Sequence, residues 1–264
     1  MATTFNPNEL ILERVKTVLF TDYSNGDILA RLTQLEESTL ETTSETDEVL
    51  DAIGSPIDRI QRSKAATFSA SNSLFSLDLA AQQFGTQKQL ASSESKISVP
   101  AEEIKTVDSA AHTITLSHTP VEGSIKSVYL MDSKNLAEKY TVTASDPTDK
   151  QFSVSGNTLT FPEAVTSGDF YITYEYEAES AARVDNKAEN FPKTTGFKAF
   201  ALFKDACDPE KKYMGVIVAK RAQLDASSIS LALQFDGKHP FTVNFNKEYC
   251  EDSADLFSII IPGE

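Results

Sequence analysis

Histidine and cysteine, the side chains that most often serve as bases, nucleophiles or metal ligands, are rare in this sequence. The three histidines are His112, His118 and His239, and none has the HExxH or His-x-His spacing that brings two imidazoles to one metal. His112 and His118 lie an even number of residues apart around a predicted strand, so both could lie on one face, where we interpret them as solvent-exposed. The histidines therefore predict no metal site.

The two cysteines, Cys207 and Cys250, are too few for a disulfide framework. Cys207 stands in the polar, turn-like stretch DACDPEKK, and we interpret both residues as free thiols in a reducing compartment. A Cys–His nucleophile pair has no flanking motif to support it, and the G-x-S-x-G, Walker A and G-x-G-x-x-G sequences are absent. We therefore expect a protein that is not an enzyme and needs no cofactor.

Carboxylates and tyrosines are the remaining candidates for chemistry. The sequence has 39 acidic residues, so pairs of carboxylates are too common to indicate acid–base catalysis. Residues 146–149 (DPTD) and 208–210 (DPE) are typical of turns, in which Asp binds the local backbone and Pro fixes φ. Tyr171, Tyr174 and Tyr176 could form a sugar-stacking face, but alternating aromatic residues favour half-buried packing in a strand.

The charge of the whole chain argues against one large class of function. The 264 residues carry a formal net charge of −15 at pH 7, whereas tight binding to a phosphate backbone needs lysine and arginine. Most of the excess lies in residues 1–181, since residues 182–264 hold 12 acids against 11 bases. No run approaches the roughly 20 apolar residues of a membrane span, and residues 1–9 lack the pattern of a signal peptide. We expect a soluble protein that stays inside the cell and does not read nucleic acid.

Strand and turn patterns predict the elements that would position these residues. Residues 1–8 are polar and contain proline, which is typical of an extended arm. Residues 10–22 and 27–35 have strand-like composition on either side of the turn sequence YSNG. The dipeptide Asn25-Gly26 between them therefore predicts a β-hairpin.

An acidic segment follows, which contains no basic residue until Arg59. We interpret it as a long loop, either a solvated surface segment or an arm that contacts another subunit. Its acidic residues are Glu36, Glu37, Glu41, Glu45, Asp47, Glu48 and Asp51. Residues 59–72 then predict another strand.

The clearest helix of the sequence comes directly after this strand. Its apolar stripe recurs with helical spacing, and Gly85 is placed to end it. The stripe consists of Leu74, Leu77, Ala81 and Phe84, and the candidate N-caps are Ser71, Asn72 and Ser73. The helix is expected to pack this stripe on a sheet. The polar segment QKQLASSESK after it predicts a domain boundary near residue 97.

The middle of the chain has the pattern of one strand after another. Residues 97–180 are divided by turn-forming sequences at the spacing of a small sandwich. Side chains alternate in strand period at Ile114 and Leu116, and again at Phe170, Ile172, Tyr174 and Tyr176. We therefore predict an inserted immunoglobulin-like β-sandwich over residues 98–181, without the Cys and Trp of an antibody domain.

The last part of the chain shows the strongest strand pattern. The alternating residues are Ile229, Leu231, Leu233 and Phe235, followed after Asp236-Gly237 by Phe241, Val243 and Phe245. The sequence LFSIIIP predicts a last strand buried on both faces. We expect residues 1–97 and 182–264 to share one core, with 98–181 inserted between them. The predicted fold is mainly β with one flanking helix.

The order of these elements resembles the tail tube, or major tail, proteins of long-tailed bacteriophages. The resemblance rests on a strand pair with a hairpin turn, an acidic arm, a strand leading into SLFSLDLAAQQFG, and a late β-block containing KKYMGVIVAKRAQLDASSISLALQFDG. The segments IKSVYLMDSKN, NTLTFPEAVTSGDFYITYEY and FPKTTGFKAFALF are also similar to parts of such proteins. The resemblance spans most of the chain and is one of pattern and order, since these proteins share no strict motif.

The resemblance implies a tail-tube-like β-sandwich or barrel with a flanking helix, six subunits that close into a ring, and rings that stack into a tube. DNA would pass through the acidic lumen without specific binding, and the partners would be copies of the chain and other phage tail proteins, with no membrane. The protein would be made in the host cytoplasm and reside in the virion tail. By position, the implied inter-subunit contacts are Phe5, Asn6, Glu36, Glu37, Glu41, Glu45, Asp47, Glu48 and Asp51.

Two other functions are alternatives to a tail tube subunit. The 98–181 sandwich could be a binding module that recognises a cell-surface glycan or protein through Tyr171 or Tyr176. The chain could also be a related phage ring protein, such as a tail terminator or a baseplate component. Copy number per particle separates a tube subunit, which is abundant, from these ring proteins.

Overall fold

The computed structural model describes residues 5–208, 210–227, 229–231, 233–248 and 254–263. It divides the chain into two compact units, which are unit 1 (Met1–Lys88 and Val184–Glu264) and unit 2 (Gln89–Arg183). The sequence pattern places the corresponding boundaries at 97/98 and 181/182. Unit 2 is one continuous segment of chain between the two parts of unit 1.

Unit 1 is built from one sheet and a short helix. Its elements are β1 (Leu10–Asp22), β2 (Ile28–Leu32), β3 (Leu35–Leu50), β4 (Pro56–Asn72), α1 (Leu77–Gln83), β14 (Thr194–Asp205), β15 (Lys212–Leu224), β16 (His239–Phe245) and β17 (Ser258–Ile260). Within the described residues the sheet has eight strands, in the order β2-β1-β14-β15-β16-β4-β3, with β17 paired to β15. The neighbours are antiparallel. The sheet curves into a nearly closed barrel.

Alternation along the strands places aromatic rings inside this sheet. The ring centroids of Phe68 and Phe197 lie 5.0 Å apart, and those of Phe20 and Phe197 lie 5.7 Å apart, and all three side chains are buried. The predicted alternation on β16 is confirmed, since its buried residues include Phe241, Val243 and Phe245. Close-packed rings of this kind contribute most of the apolar burial of a small core.

The first predicted hairpin is confirmed. β1 and β2 pair in antiparallel register, and Gly26 in the connection has a φ of +79°, a left-handed value that suits glycine. Asp22 Oδ1 accepts hydrogen bonds from the backbone N–H groups of Ser24 and Asn25, at 2.8 and 3.3 Å. Gly26 of the turn sequence and Asp22, which directly precedes that sequence, therefore close the hairpin together.

The acidic segment is a β-hairpin and not the predicted loop. β3 and β4 pair over nearly their whole length. Threonine, valine and leucine alternate with the acids along β3, and β4 supplies the backbone partners that such residues need to form a strand. β16 pairs with β4 only between Ala66 and Asn72. Residues 43–65 therefore form a two-stranded ribbon, which we call the acidic ribbon.

The tip of the acidic ribbon is closed by Asp51. Its Oδ1 accepts hydrogen bonds from the backbone N–H groups of Ile53 and Ser55, at 2.9 and 2.8 Å. Gly54 has a φ of +86°, which a residue with a side chain adopts at a cost. A short carboxylate and a glycine at these positions explain why the chain reverses here.

Helix α1 begins later than predicted. Ser76 is its N-cap, and the hydroxyl accepts from the N–H of Leu79 at 3.2 Å. The predicted caps Ser71, Asn72 and Ser73 are wrong, because pairing with β16 extends β4 to Asn72. Gly85 ends the helix as predicted, with a φ of +66°.

The predicted apolar stripe of this helix is also wrong in part. Leu74 lies before the helix and is exposed. The buried residues of the helix are Leu79, Ala80, Ala81 and Gln83. Leu79 packs into the core of unit 1. No helix of the described residues is long and apolar enough to span a membrane.

The segment between β15 and β16 forms no strand in its described residues, although its alternating pattern predicts one. Ser228 and Ala232 lie outside the described residues. Leu233 and Phe235 are 88% and 101% exposed. A strand needs backbone partners as well as alternation, and no described strand pairs with this segment.

The strand near the C-terminus is an edge strand. β17 pairs with residues Val216–Val218 of β15. The side chains of Ile259 and Ile260 are both 53% exposed. The prediction that LFSIIIP is buried on both faces is therefore wrong, since only three of its residues form a strand and the side chains of that strand are exposed.

Unit 2 consists of a seven-stranded sheet and a two-stranded stem. Its strands are β5 (Gln89–Leu90), β6 (Ile97–Thr106), β7 (Thr113–Thr115), β8 (Ser127–Asp132), β9 (Asn135–Val142), β10 (Gln151–Ser155), β11 (Thr158–Thr160), β12 (Asp169–Ala178) and β13 (Ala182–Arg183). The sheet order is β6-β12-β8-β9-β10-β11-β7, and β5 and β13 pair as the stem. The pair β9–β10 is parallel.

The alternation predicted for this part of the chain is confirmed. Its buried members are Ile114, Leu116, Phe170, Ile172 and Tyr174, and Tyr176 is half-buried. They form a core of their own, with Phe152 and Phe161 among its other members. The mainly β fold is thus confirmed, and the immunoglobulin-like arrangement of unit 2 stays a prediction.

Candidate assembly surface

Glu36 and Glu37, at the start of β3, are held by a lysine of the same chain. Lys238 Nζ lies 2.6 Å from Glu36 Oε2 and 3.3 Å from Glu37 Oε1, and Ser73 Oγ also donates to Glu36. The hydrogen bonds from Lys238 and then Ser73 lower the pKa of Glu36, and the bonds to both glutamates raise the pKa of Lys238. Both candidate contact residues therefore already have partners within unit 1.

Asp47 and Glu48 are paired across the acidic ribbon. Arg59 Nη2 lies 3.0 Å from Glu48 Oε1, directly across the two strands, and Arg62 Nε pairs with Asp47. Exposed pairs of this kind stabilise a structure little. Their position on facing strands nevertheless favours the observed register of the ribbon.

Glu41 and Glu45 are exposed, and neither forms an ion pair with a residue that the structure describes. The β3–β4 register has no shift between them, so both lie on the same face of β3. A rise of about 3.4 Å per residue separates them by roughly 14 Å along the strand. Phe68 belongs to the opposite face and points into the core of unit 1. The two free carboxylates therefore face outward.

The tip of the acidic ribbon is apolar as well as acidic. Its exposed apolar residues are Val49, Leu50, Ile53, Ile57 and Ile60. Ile53 is 87% exposed. A cluster of exposed aliphatic side chains at the end of an acidic arm is typical of a contact surface for another protein.

Phe5 and Asn6 do not belong to an extended arm. The Phe5 ring lies edge-on to the Tyr213 ring with centroids 5.1 Å apart. Asn6 Oδ1 accepts from the N–H of Asn8 at 3.1 Å, which closes a turn at Pro7. The arm prediction is wrong for residues 5–8, because Phe5 finds an aromatic partner within unit 1; residues 1–4 lie outside the described residues.

The histidines and tyrosines of unit 2 contact one another or the local backbone. His118 stacks on Tyr176, with ring centroids 3.9 Å apart and planes 6° apart. His112 Nδ1 lies 3.1 Å from the carbonyl oxygen of Val165, so the two imidazoles do not share a partner. Tyr171 is half-buried opposite Tyr129 of β8. The tyrosine side chains thus pack within the strands, as their alternation in the sequence predicts.

Tyr174 and Glu103 form a hydrogen-bonded pair in which both pKa values are shifted. The Tyr174 hydroxyl donates to Glu103 Oε1, and Ser117 donates to the same carboxylate through its backbone N–H at 3.1 Å. Burial and the bond to Glu103 raise the pKa of Tyr174 to about 12. Burial also raises the pKa of Glu103, but the bonds from Tyr174 and Ser117 outweigh it and leave the pKa below its usual value. This pair fastens the Ser117 loop to β12 and β6.

Cys207 is a free, exposed thiol, as predicted, and Cys250 lies outside the described residues. The Cys207 thiol donates to Glu9 Oε2 at 3.5 Å, and this contact raises the pKa of Cys207. A raised pKa lowers the thiolate fraction at neutral pH. No group of three or more His, Cys, Asp or Glu side chains in the described residues is arranged to hold a metal ion.

One exposed surface of unit 1 was not identified from the sequence. Phe75, Leu231, Leu233 and Phe235 line a cleft of ≈ 500 Å³ next to His239, and we call these four side chains the apolar patch. The alternating pattern that marks this segment is visible in the sequence. The alternation predicts a strand here and does not reveal the exposed patch, because exposure depends on what lies beside the segment in space.

The chain was compared with curated protein sequences and with models of protein families. No curated protein sequence matches the chain. A model of a tube protein family matches residues 10–255, which include nearly the whole of both units. This match agrees with the resemblance to phage tail tube proteins, and the chain belongs to the YomU/Tube protein family.

Proposed function

We propose that the chain is the subunit of a bacteriophage tail tube, in which six copies close a ring and the rings stack into a conduit for DNA. Membership of the YomU/Tube family supports a structural, tube-like phage protein. To this family role we add the hexameric ring and the passage of DNA. The role involves no catalysis, and the partners are copies of the chain and other tail proteins.

The observation that carries this proposal is the acidic ribbon, residues 43–65. An isolated two-stranded hairpin is at best marginally stable in water, and a third strand or a packed helix is usually needed. Every residue of the ribbon except Asp51 is nevertheless exposed. A neighbouring copy that packs on the ribbon would supply the missing contacts.

The edge of the sheet supports the same conclusion. β3 is the last strand in the sheet order, so its outer edge presents unpaired backbone groups within the described residues. The ribbon of one copy would contact a different surface of the next copy. Such heterologous contacts repeat into rings or filaments, which is the geometry that a tube requires.

The net charge fits the proposed passage of DNA. A chain of charge −15 gives a surface potential that repels phosphate groups. Few lysine and arginine residues are available to displace counterions from DNA. A conduit built from this chain would therefore let DNA slide without adhering.

The test compares the full chain with a variant whose ribbon is shortened. In this variant Ser44 is joined to Lys64 through Asn-Gly, a dipeptide that closes a two-residue hairpin. The residues of β4 that pair with β16 are kept, so the variant should fold. In a matched control, Asn-Gly replaces Ser133-Lys134 in the turn between β8 and β9.

Electron microscopy and mass measurement of the purified proteins provide the readout. The full chain and the control should form rings of six and stacked tubes, and the shortened variant should remain a folded monomer. A full chain that stays monomeric at high concentration would contradict the proposal. Single rings that never stack would favour the terminator or baseplate alternative, and tubes of the shortened variant would show that the ribbon is not the contact.

A further inference from the structure

Three basic side chains of unit 1 line one groove at the surface. Arg14 and Lys16 belong to β1 and Arg31 belongs to β2. The groove has a volume of ≈ 290 Å³, and its other lining residues are Val15, Thr17, Thr33, Gln34 and Leu35. The three basic residues are exposed. We call this feature the basic groove.

The side chains of the basic groove form no ion pair among the described residues. Arg14, Lys16 and Arg31 form neither an ion pair nor a side-chain hydrogen bond with any residue that the structure describes. The chain has 39 acids for 24 bases, so acidic partners are plentiful. The hydrogen bond from Lys204 and, to a lesser extent, the charge of Arg14 lower the pKa of the neighbouring Glu13, but that carboxylate is paired with Lys204 at 3.0 Å. Three cations grouped without an ion pair in an acidic protein attract a negatively charged ligand.

The hairpin of β3 and β4 provides a negatively charged ligand for such a groove. Glu41 and Glu45 also lack an ion pair among the described residues, and they lie on one outward face of β3. Their spacing of roughly 14 Å is comparable with the length of the groove, because Arg31 lies opposite Leu19 of β1, five residues or roughly 17 Å along that strand from Arg14. Arginine binds a carboxylate through two parallel hydrogen bonds, which gives such a contact a defined geometry.

Within one chain the two surfaces do not meet. Leu35, where β3 begins, lines the groove, but Glu41 lies six residues further along an extended strand, which is roughly 20 Å away. The observed structure accordingly leaves all five charges unpaired with one another. Pairing between them therefore requires a second copy of the chain.

We propose that the basic groove of one copy, formed by Arg14, Lys16 and Arg31, receives the Glu41–Glu45 face of the hairpin of a neighbouring copy. This inference rests on the proposed function, because it names the surface that the hairpin contacts in the tube. The groove and the hairpin lie on different parts of each chain. The contact is therefore heterologous and sets the direction in which copies add.

A nucleic acid is the competing occupant of a basic groove. Three basic side chains on a chain of net charge −15 release few counterions from DNA, and the rest of the surface repels it. Glu41 and Glu45 of a neighbouring copy, in contrast, hold two negative charges in a fixed geometry. Assembly also brings these carboxylates to the groove at a high local concentration.

The experiment reverses the charges on each side separately and then together. The groove variant carries Arg14→Glu and Arg31→Glu, and the hairpin variant carries Glu41→Lys and Glu45→Lys. All four positions are exposed, so the variants should fold, which circular dichroism and thermal unfolding verify. The matched control for the groove variant carries Lys126→Glu and Lys134→Glu, which make the same change of net charge as that variant at exposed positions of unit 2.

The measured quantity is the protein concentration at which rings or tubes appear in electron micrographs and light scattering. Each charge-reversal variant alone should raise this concentration at least about tenfold, which corresponds to the loss of about 1.4 kcal/mol. The quadruple variant should assemble as the wild type does, because its contacts have opposite charges again. An equimolar mixture of the groove and hairpin variants should also assemble, since alternating copies pair opposite charges at every contact.

The outcomes separate this inference from the proposed function. If the wild type assembles and both double variants assemble equally well, the inference is overturned and the tube function stands. If the double variants fail and neither the quadruple variant nor the mixture is rescued, the groove and hairpin do not meet, and the inference is again overturned. A wild type that never assembles overturns both. Binding of a DNA duplex that the groove variant loses would assign the groove to nucleic acid instead.

Discussion

His239 and Gln83 are joined by a hydrogen bond of 2.8 Å between His239 Nε2 and Gln83 Oε1, and both side chains are buried. An amide oxygen can only accept, so Nε2 carries the proton. His239 Nδ1 then accepts from the backbone N–H of Ser76, 3.5 Å away at the start of α1. Gln83 also donates to the carbonyl oxygen of Pro240 at 3.0 Å. The neutral imidazole therefore ties β16 to the helix.

This arrangement predicts a loss of stability in mild acid. Burial lowers the pKa of His239 below its ordinary 6.5, so protonation favours the unfolded chain. The effect begins as the pH falls below about 6.5 and grows by at most about 1.4 kcal/mol per pH unit until the folded pKa is reached. Urea unfolding of the wild type and of His239→Gln, at about pH 7.5 and about pH 5.5, measures it. His118→Gln, at an exposed position, is the control.

The His239→Gln variant should show a smaller stability difference between the two pH values than the wild type, and His118→Gln should resemble the wild type. The comparison uses differences between pH values, so a constant cost of the substitution does not affect it. Equal pH dependence in the wild type and His239→Gln would show that His239 titrates normally.

The surroundings of Gly85 predict a large loss of stability when a single methyl group is added there. A Cβ at this position would lie 2.1 Å from the carbonyl oxygen of Phe191, and φ is +66°. Gly54 has a similar φ of +86° with no atom within 4 Å of the added Cβ. Gly85→Ala should lower the free energy of unfolding by more than about 2 kcal/mol and Gly54→Ala by about 1 kcal/mol. Denaturant unfolding measures both, and equal losses would show that the backbone near Phe191 relaxes.

The two aromatic cores predict two separable responses to cavity formation. Phe68 belongs to the core of unit 1 and Phe152 to that of unit 2, and both are buried. Each change to alanine should cost about 3 to 5 kcal/mol in the unit that contains it. Hydrogen exchange measures the response of each unit. Phe68→Ala should deprotect the strands of unit 1, and Phe152→Ala those of unit 2. Equal deprotection of both units by either change would contradict two independent cores.

The apolar patch predicts a variant that folds but assembles poorly. Phe235 is fully exposed, so Phe235→Asp should change the free energy of unfolding by less than about 0.5 kcal/mol. A charge on this patch should nevertheless weaken contacts between copies, because exposed apolar patches mark interaction surfaces. Sedimentation at several concentrations measures assembly, and Leu136→Asp in unit 2, also at an exposed position, is the control. Unchanged sedimentation of Phe235→Asp would exclude the patch from the contacts.

Alternation predicted the strands correctly where both neighbours of a strand lie in the same chain. The segments that include Phe170 and Phe241 have a paired strand on each side, and their side chains alternate between buried and half-buried or exposed positions. The segment that ends at Phe235 has the same pattern and no described partner. Periodicity reports which face of a strand would be apolar, but the existence of the strand depends on residues far away in the sequence.

The acidic hairpin shows the opposite error. Its charge density favoured a loop, but the threonines between the acids have high strand propensity and β4 pairs with them. The contacts of the candidate residues with other copies of the chain stay a prediction. Lys238 is about two hundred residues from Glu36 in sequence, so no local pattern could show that it neutralises Glu36 and Glu37. Only the fold distinguishes these two residues from Glu41 and Glu45.

The stem of unit 2 has a consequence for the evolution of the chain. β5 and β13 pair directly, with Gln89 opposite Arg183, so the Cα atoms at the entry and the exit of the insertion lie roughly 5 Å apart. A host domain tolerates an insertion whose two ends are adjacent in space much as it tolerates a loop. Recombination can therefore delete this segment, lengthen it or replace it with an unrelated cassette, while the distance that the barrel has to bridge stays the same.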